Sequence, residues 1–208
     1  MYLPEHFRES RVDELHRLIQ AHPLGMLVHA SGDGLDADHI PFELVPGEGP
    51  HGCLRAHVAR ANPLWQHADG SAVLVVFRGA EHYISPNWYP SKHLAHEQVP
   101  TWNYQVVHVR GTLRVVDDER FVRGLVGRLT RQHEAGEARP WRMADSTPEF
   151  IAGMLARVVG IEVQIHELVG KSKLSQNKVA DDVRGAAGRL DEEGAAELAG
   201  AMREQLPS

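Results

Sequence analysis

The 208-residue chain predicts a mainly β domain with peripheral helices, an α+β protein. Three observations carry that reading. At least six short runs are rich in apolar and β-branched residues and are separated by Gly/Pro turn clusters, the pattern of a small closed or split barrel. Around them lie stretches whose apolar residues keep helical spacing. Apolar residues make up 42% of the chain and charged residues 24%, the balance of an ordinary globule long enough to bury a core.

In chain order, ESRVDELHRLIQAHP opens with Ser10 and Asp13 as an N-cap pair, and Val12, Leu15, Leu18 and Ile19 share one helical face until Pro23. LGMLVHA (24–30) reads as a strand, SGDG (31–34) as a tight turn and LDADHIPFELV (35–45) as the return strand. Pro41 assigns part of that strand to an edge or a bulge. PGEGPHG (46–52) is a second turn cluster, followed by the strand CLRAHV. Asn62 before Pro63 is an N-cap and first-turn signature for a short helix. SAVLVVFRG (71–79) is nearly all apolar and β-branched and predicts a central strand. NYQVVHVRG (103–111) and TLRVV (112–116) resume strand patterning, with Gly111 marking a bulge or bend.

From Asp117, the positions Phe121, Val122, Leu125, Val126 and Leu129 form one face of an amphipathic helix. A loop holding Trp141 follows. Thr147, Pro148 and Glu149 start a helix that is expected to reach Gly160. Ile161, Val163 and Ile165 alternate as in a half-buried strand. GKSKLSQNK (170–178) reads as a polar loop, and the tail from Ala180 as two helices. The whole is expected to form a single domain, 1–208, with a helical C-terminal extension over about 176–208.

Several classes fall away on composition. No apolar run approaches 18 residues and no charged-then-apolar leader opens the chain, so no membrane partner and a cytoplasmic address are expected. Cys53 is alone, so no intrachain disulfide forms. The 14 histidines include His93 and His96 one turn apart, but no third ligand accompanies them and no metal is expected. No GxxxxGKS/T occurs, and the one GxGxxG match, GEGPHG (47–52), lies in a turn cluster between two strands and opens no helix, which dismisses phosphate-loop and dinucleotide-fold readings. The net charge is −6, and 180–208 carries seven Asp or Glu against Arg184, Arg189 and Arg203. An acidic tail resists a phosphate array, so direct DNA binding is not expected.

Three segments carry chemistry. Residues 83–104 hold five of the eight Trp and Tyr, with Pro86, Pro90 and Pro100 stiffening the path. Such a loop seats a planar ligand with a polar tail, or it plugs a core with its rings. Arg60 lies two residues before the Asn62–Pro63 helix start, which makes either a phosphate site or a capped surface helix with a solvated Arg. Lys171, Lys173 and Lys178 fall within nine residues, as a solvated loop or as an anion-binding segment.

HVARANPLW (57–65), YISPNWYPSK (83–92), VPTWNY (99–104) and GKSKLSQNK (170–178), with MYLPEHF at the start, resemble signature segments of the PaiB-like family. That family belongs to the FMN-binding split-barrel proteins and is often named a negative transcriptional regulator. The resemblance implies a split barrel whose FMN lies outside the barrel, in a groove completed by a second subunit, and hence a homodimer. It implies cofactor contacts from Arg60 and Asn62 at the helix start, from Ser91 and Lys92, and secondarily from Lys173 and Gln176. Trp88, Trp102 and Asn103 would flank the ring or its polar edge. The role implied is flavin-dependent redox chemistry of oxidoreductase type, or flavin sensing. No side chain stands out as acid, base or nucleophile, so no catalytic residue is named. The alternatives are a transcriptional regulator acting without flavin catalysis and a haem-binding split-barrel protein with no identifiable axial ligand.

Overall fold

The computed structural model describes residues 1–32 and 34–206. Asp33 of the expected SGDG turn, and Pro207 and Ser208 at the chain end, lie outside them. The strands are β1 (Arg8–Glu9), β2 (Leu24–Ser31), β3 (Gly34–Pro41), β4 (Glu43–Val45), β5 (Cys53–Ala59), β6 (Ala72–Ile84), β7 (Thr101–Val116) and β8 (Val158–Lys173). The helices are α1 (Val12–Ala21), α2 (Leu64–His67), α3 (Lys92–Ala95), α4 (Glu119–His133), α5 (Pro148–Leu155), α6 (Ala180–Glu192) and α7 (Ala196–Glu204). Hydrogen bonding orders the strands β3-β2-β6-β7-β8-β5-β4, with β1 on β8. Pro41 accordingly ends an edge strand, where its missing N–H leaves no gap in the ladder. No helix among the described residues is long and apolar enough to cross a membrane.

The chain divides into two compact units. The first comprises Met1–His22, Phe77–Val107 and Val169–Ser208. Here α1 buries Leu15, Leu18 and Ile19, and β1 pairs with β8 through Arg8↔Lys171 and Glu9↔Gly170. The helix start differs from the expected Ser10 cap. Arg11 is the N-cap and no side chain caps the first turn; the Glu9 carboxylate instead accepts from the Arg11 backbone N–H at 2.8 Å and grips its guanidinium just ahead of the helix. The main core of this unit gathers Ile84, Tyr89, Leu174, Leu190, Leu198 and Met202, with Trp88 packed against it. α6 lies so close to the aromatic loop that a Cβ on Gly185 would stand 2.6 Å from the Trp88 carbonyl oxygen. Only a residue without a Cβ fits there.

The second unit comprises Pro23–Val76 and His108–Leu168. β2 and β3 form an antiparallel hairpin from Leu24↔Pro41 to Ser31↔Gly34, and β5 pairs with β8 from Cys53↔Gln164 to Ala59↔Val158. α4 starts on Asp118, whose carboxylate accepts from the Phe121 N–H at 2.7 Å. α4 and α5 join through Val122, Ile151 and Leu155. Two sequence expectations change here. β7 runs unbroken through Gly111, and the glycine serves a close approach: a Cβ would meet the Gln164 carbonyl oxygen at 2.3 Å. The fifth helix stops at Leu155, because Val158–Gly160 pair as strand with β5. β8 then continues to Lys173, so the first part of the expected 170–178 loop is ladder.

Candidate functional site

In the first unit part of the aromatic stretch plugs a core and part of it stays exposed. Tyr89 is fully buried and Trp88 packs on the same core, so these two rings plug. Trp102 is 56% exposed and meets Tyr83 edge-on, with ring centroids 6.2 Å apart. In the same unit a cleft of about 140 Å³ opens, lined among others by Tyr89, Thr101, Asn103, Lys173, Ser175 and Lys178.

The cleft is polar and cationic. The Tyr89 hydroxyl lies 3.1 Å from the Ser175 hydroxyl, which also accepts from the Asn103 amide N–H at 2.9 Å. The other end of that amide, Asn103 Oδ1, is buried and has no partner among the described residues, although Asn103 is only 1% exposed. A buried acceptor left open costs on the order of 1–3 kcal/mol, which an incoming donor recovers. Ser175 holds a left-handed backbone at φ 66°, uncommon for a residue with a Cβ.

The Lys173 ammonium donates to Thr101 Oγ1 and to the Trp102 carbonyl, and Lys178 donates to Gln98 Oε1. None of these partners is anionic. Burial, and then the charges of Lys171 and Lys178, hold the Lys173 pKa below the ordinary lysine value. Lys171 is itself only 8% exposed and lies over the Tyr104 ring at 5.2 Å. The segment has cations in excess of local anions, the condition for holding a phosphate.

Ser91 and Gln176, also expected at the site, have visible partners. Ser91 donates from its backbone N–H and its hydroxyl to Asp182, at 2.9 and 2.6 Å, and so ties the loop to α6. Lys92 opens α3 and is half-buried. Gln176 bonds the backbone around it, accepting from Leu174 N–H at 2.8 Å and donating to Ser172 O at 2.6 Å.

Arg60 and Asn62 belong to the second unit. The Arg60 guanidinium forks onto Asp117 at 2.6 and 2.9 Å, donates to Ala156 O and stacks over Trp65. It is therefore not the unpaired cation expected from the sequence. Asn62 Oδ1 accepts from the Leu64 N–H at 2.8 Å as expected of a cap, but α2 is a single turn of 4 residues. So short a helix offers little dipole to an anion. Sequence reasoning left Tyr89, Thr101 and Ser175 out of the site. They sit inside the quoted motifs, and only the fold reveals that their hydroxyls converge.

Among the described residues one group has metal-ligand types close together, Glu48, Cys53 and Glu162. Arg55 already bridges both carboxylates at 2.8 Å, and burial pushes the Cys53 thiol up to about 11. The guanidinium supplies the positive charge a metal would bring.

Residues 1–167 match the family described as "Putative FMN-binding domain". The chain belongs to this FMN-binding family. The match contains the 57–65 and 83–104 motifs, while the lysine-bearing 170–178 segment lies beyond it. Over 210 residues the chain is 28% identical to "Protease synthase and sporulation protein PAI 2" of Bacillus subtilis, spanning 99% of this chain and 98% of that protein. It is 30% identical over 212 residues to "Uncharacterized protein AN0679" of Emericella nidulans, 85% of this chain and 84% of the other. Among solved structures, the FAD and heme binding protein from Mycobacterium smegmatis matches with a TM-score of 0.62 at 18% identity, over 85% of this chain and 78% of that one. The fold is thus a split barrel of the flavoprotein kind, mainly β with C-terminal helices, and FMN is the cofactor that goes with membership in this PaiB-like, FMN-binding family.

Whether the cleft suits that cofactor is a question of donors and volume. Ligand pockets usually enclose about 300–1,000 Å³. At about 140 Å³ the cleft is too small for the ring system of FMN and has room for no more than one end of it. Two unneutralised lysines and an open amide oxygen fit the phosphate and the neighbouring ribityl hydroxyls.

Proposed function

We propose that the first-unit cleft holds the phosphate end of FMN and that the protein works as a flavin-dependent oxidoreductase or flavin sensor. The observation that carries this reading is the buried, unpartnered Asn103 Oδ1 on a residue that lines one cleft with two lysines that lack a carboxylate. Lys173 and Lys178 neutralise the phosphate, Asn103 Oδ1 accepts from a ribityl hydroxyl, and the Tyr89 and Ser175 hydroxyls complete the set. Bound FMN supplies the redox chemistry, which the protein positions and tunes. Trp102 and Tyr83 lie outside the cleft as a wall for the ring and keep water from it. Ser91 and Gln176 position the loop and the strand end. Arg60 and Asn62 brace the second unit. Lys92 and Trp88 belong to the aromatic loop that supplies Tyr89 to the cleft.

A second copy completes the groove in this reading, because the cleft alone is too small for the ring and because Trp102 and Tyr83 stand exposed. Direct DNA readout is not part of it. The inward faces of α6 and α7 are consumed by the core, and their outer faces carry Asp181, Glu192, Glu197 and Glu204. A DNA complex that survives ~0.2 M salt in a mobility-shift assay would refute that exclusion. The direct test of the cofactor assignment is the absorbance spectrum of freshly purified protein, before and after adding FMN and passing a desalting column. Retained flavin bands are expected. Flavin that separates completely from the protein at micromolar concentration contradicts the assignment.

A further inference from the structure

The second unit contains a larger cleft that the flavin reading does not use. It runs between α4 and the loop at 134–143, in two adjoining lobes of about 520 and 300 Å³ that share Thr130, Glu134 and Trp141. Either lobe alone reaches the volume of a small-molecule site. The outer lobe has a bare floor, because Gly127 faces it and a Cβ there would stand 3.1 Å from Met143 Cε. Trp141 lines both lobes and is held by its backbone N–H, which donates to Glu134 Oε2 at 2.8 Å. That bond occupies part of the one carboxylate in the lining.

Two cations line the outer lobe, Arg131 and Arg142, both exposed and neither with a carboxylate partner among the described residues. Arg128, one helical turn from Arg131, is by contrast clamped onto Glu43 at 2.6 Å. The inner lobe ends on Val126, Leu129 and His57. His57 Nδ1 is buried and has no partner among the described residues, and burial lowers the His57 pKa, so the ring is neutral at pH 7. The lining therefore offers an aromatic wall, an apolar floor and two open guanidinium groups.

We propose that this cleft is a second ligand site, for a small planar ring compound with a carboxylate. The ring lies along Trp141 and the carboxylate meets Arg131 and Arg142. The proposal is independent of where FMN binds, since every group it uses lies in the second unit.

The test titrates 2-naphthoate, and its neutral isostere 2-naphthamide, into the full-length protein saturated with FMN, with calorimetry as the readout. Wild type is expected to bind 2-naphthoate at least ~10-fold more tightly than the amide, the least that one lost charge-assisted contact costs. The double variant Arg131→Gln/Arg142→Gln should lose that preference while still binding FMN, which shows that it is folded. Trp141→Ala should weaken both probes. No binding of 2-naphthoate, equal binding of acid and amide, or a double variant that keeps the preference would overturn the proposal. So would simple competition between 2-naphthoate and FMN, which would make the cleft part of the flavin site.

Discussion

Asn103 and Lys173 are costly residues for the chain by itself. One leaves an amide oxygen unbonded in the interior, and the other carries a charge that its surroundings disfavour. The sign of the lysine effect gives a prediction. Its folded pKa lies below the ordinary value, so between the two the unfolded chain holds more protons and stability rises with pH. FMN affinity moves the opposite way and falls as pH rises through the same folded pKa, because the phosphate loses its counter-charge. Urea melts and FMN titrations over the alkaline range should show these opposed slopes in wild type and neither in Lys173→Met. Parallel slopes would mean that Lys173 does not face the phosphate. Arg60 teaches the converse lesson. Its sequence position beside a helix start suggested an anion, and the partner that answered, Asp117, lies 57 residues away in the chain. Local pattern cannot reveal a distant counter-ion.

At the scale of elements, the loop from Ser85 to Pro100 depends on α6. Ser91 is bound twice by Asp182, a carboxylate only 1% exposed, and Gln98 donates to the same Ser91 hydroxyl at 2.8 Å. Hydrogen bonds to a charged group contribute about 1.5–3 kcal/mol each. Asp182→Asn replaces one acceptor oxygen with a donor and should loosen the loop. Hydrogen exchange should then quicken at 91–98 while the β8 amides stay protected, and a uniform rise across the chain would contradict this anchoring. Most of the elements were legible in the sequence, because periodicity and Gly/Pro punctuation mark them locally. The misreadings lie where pairing overrides local pattern. Gly111 looked like a bend but answers to Gln164 across the ladder, and Val158–Gly160 looked like a helix end but are claimed by β5. The convergence of Tyr89, Asn103 and Ser175 was not legible, since their separations in the chain carry no period.

For the molecule as a whole, the family and the fold were readable from four short motifs in order. The units into which the chain folds were not, because β6, β7 and β8 each contribute residues to both. The proposed second copy has a simple check. Light scattering coupled to size exclusion should give about twice the 23.1 kDa chain mass, and a clean monomer at micromolar concentration would remove the shared groove. The central claim is that the Lys173–Lys178 cleft reads the phosphate of FMN. It is tested most directly by titrating FMN and riboflavin, which lacks the phosphate, into wild type, Lys173→Ala and Lys178→Ala. Each variant is expected to lose roughly 10- to 150-fold in affinity for FMN and little for riboflavin. Equal losses for both ligands, or no loss for either, would contradict the claim.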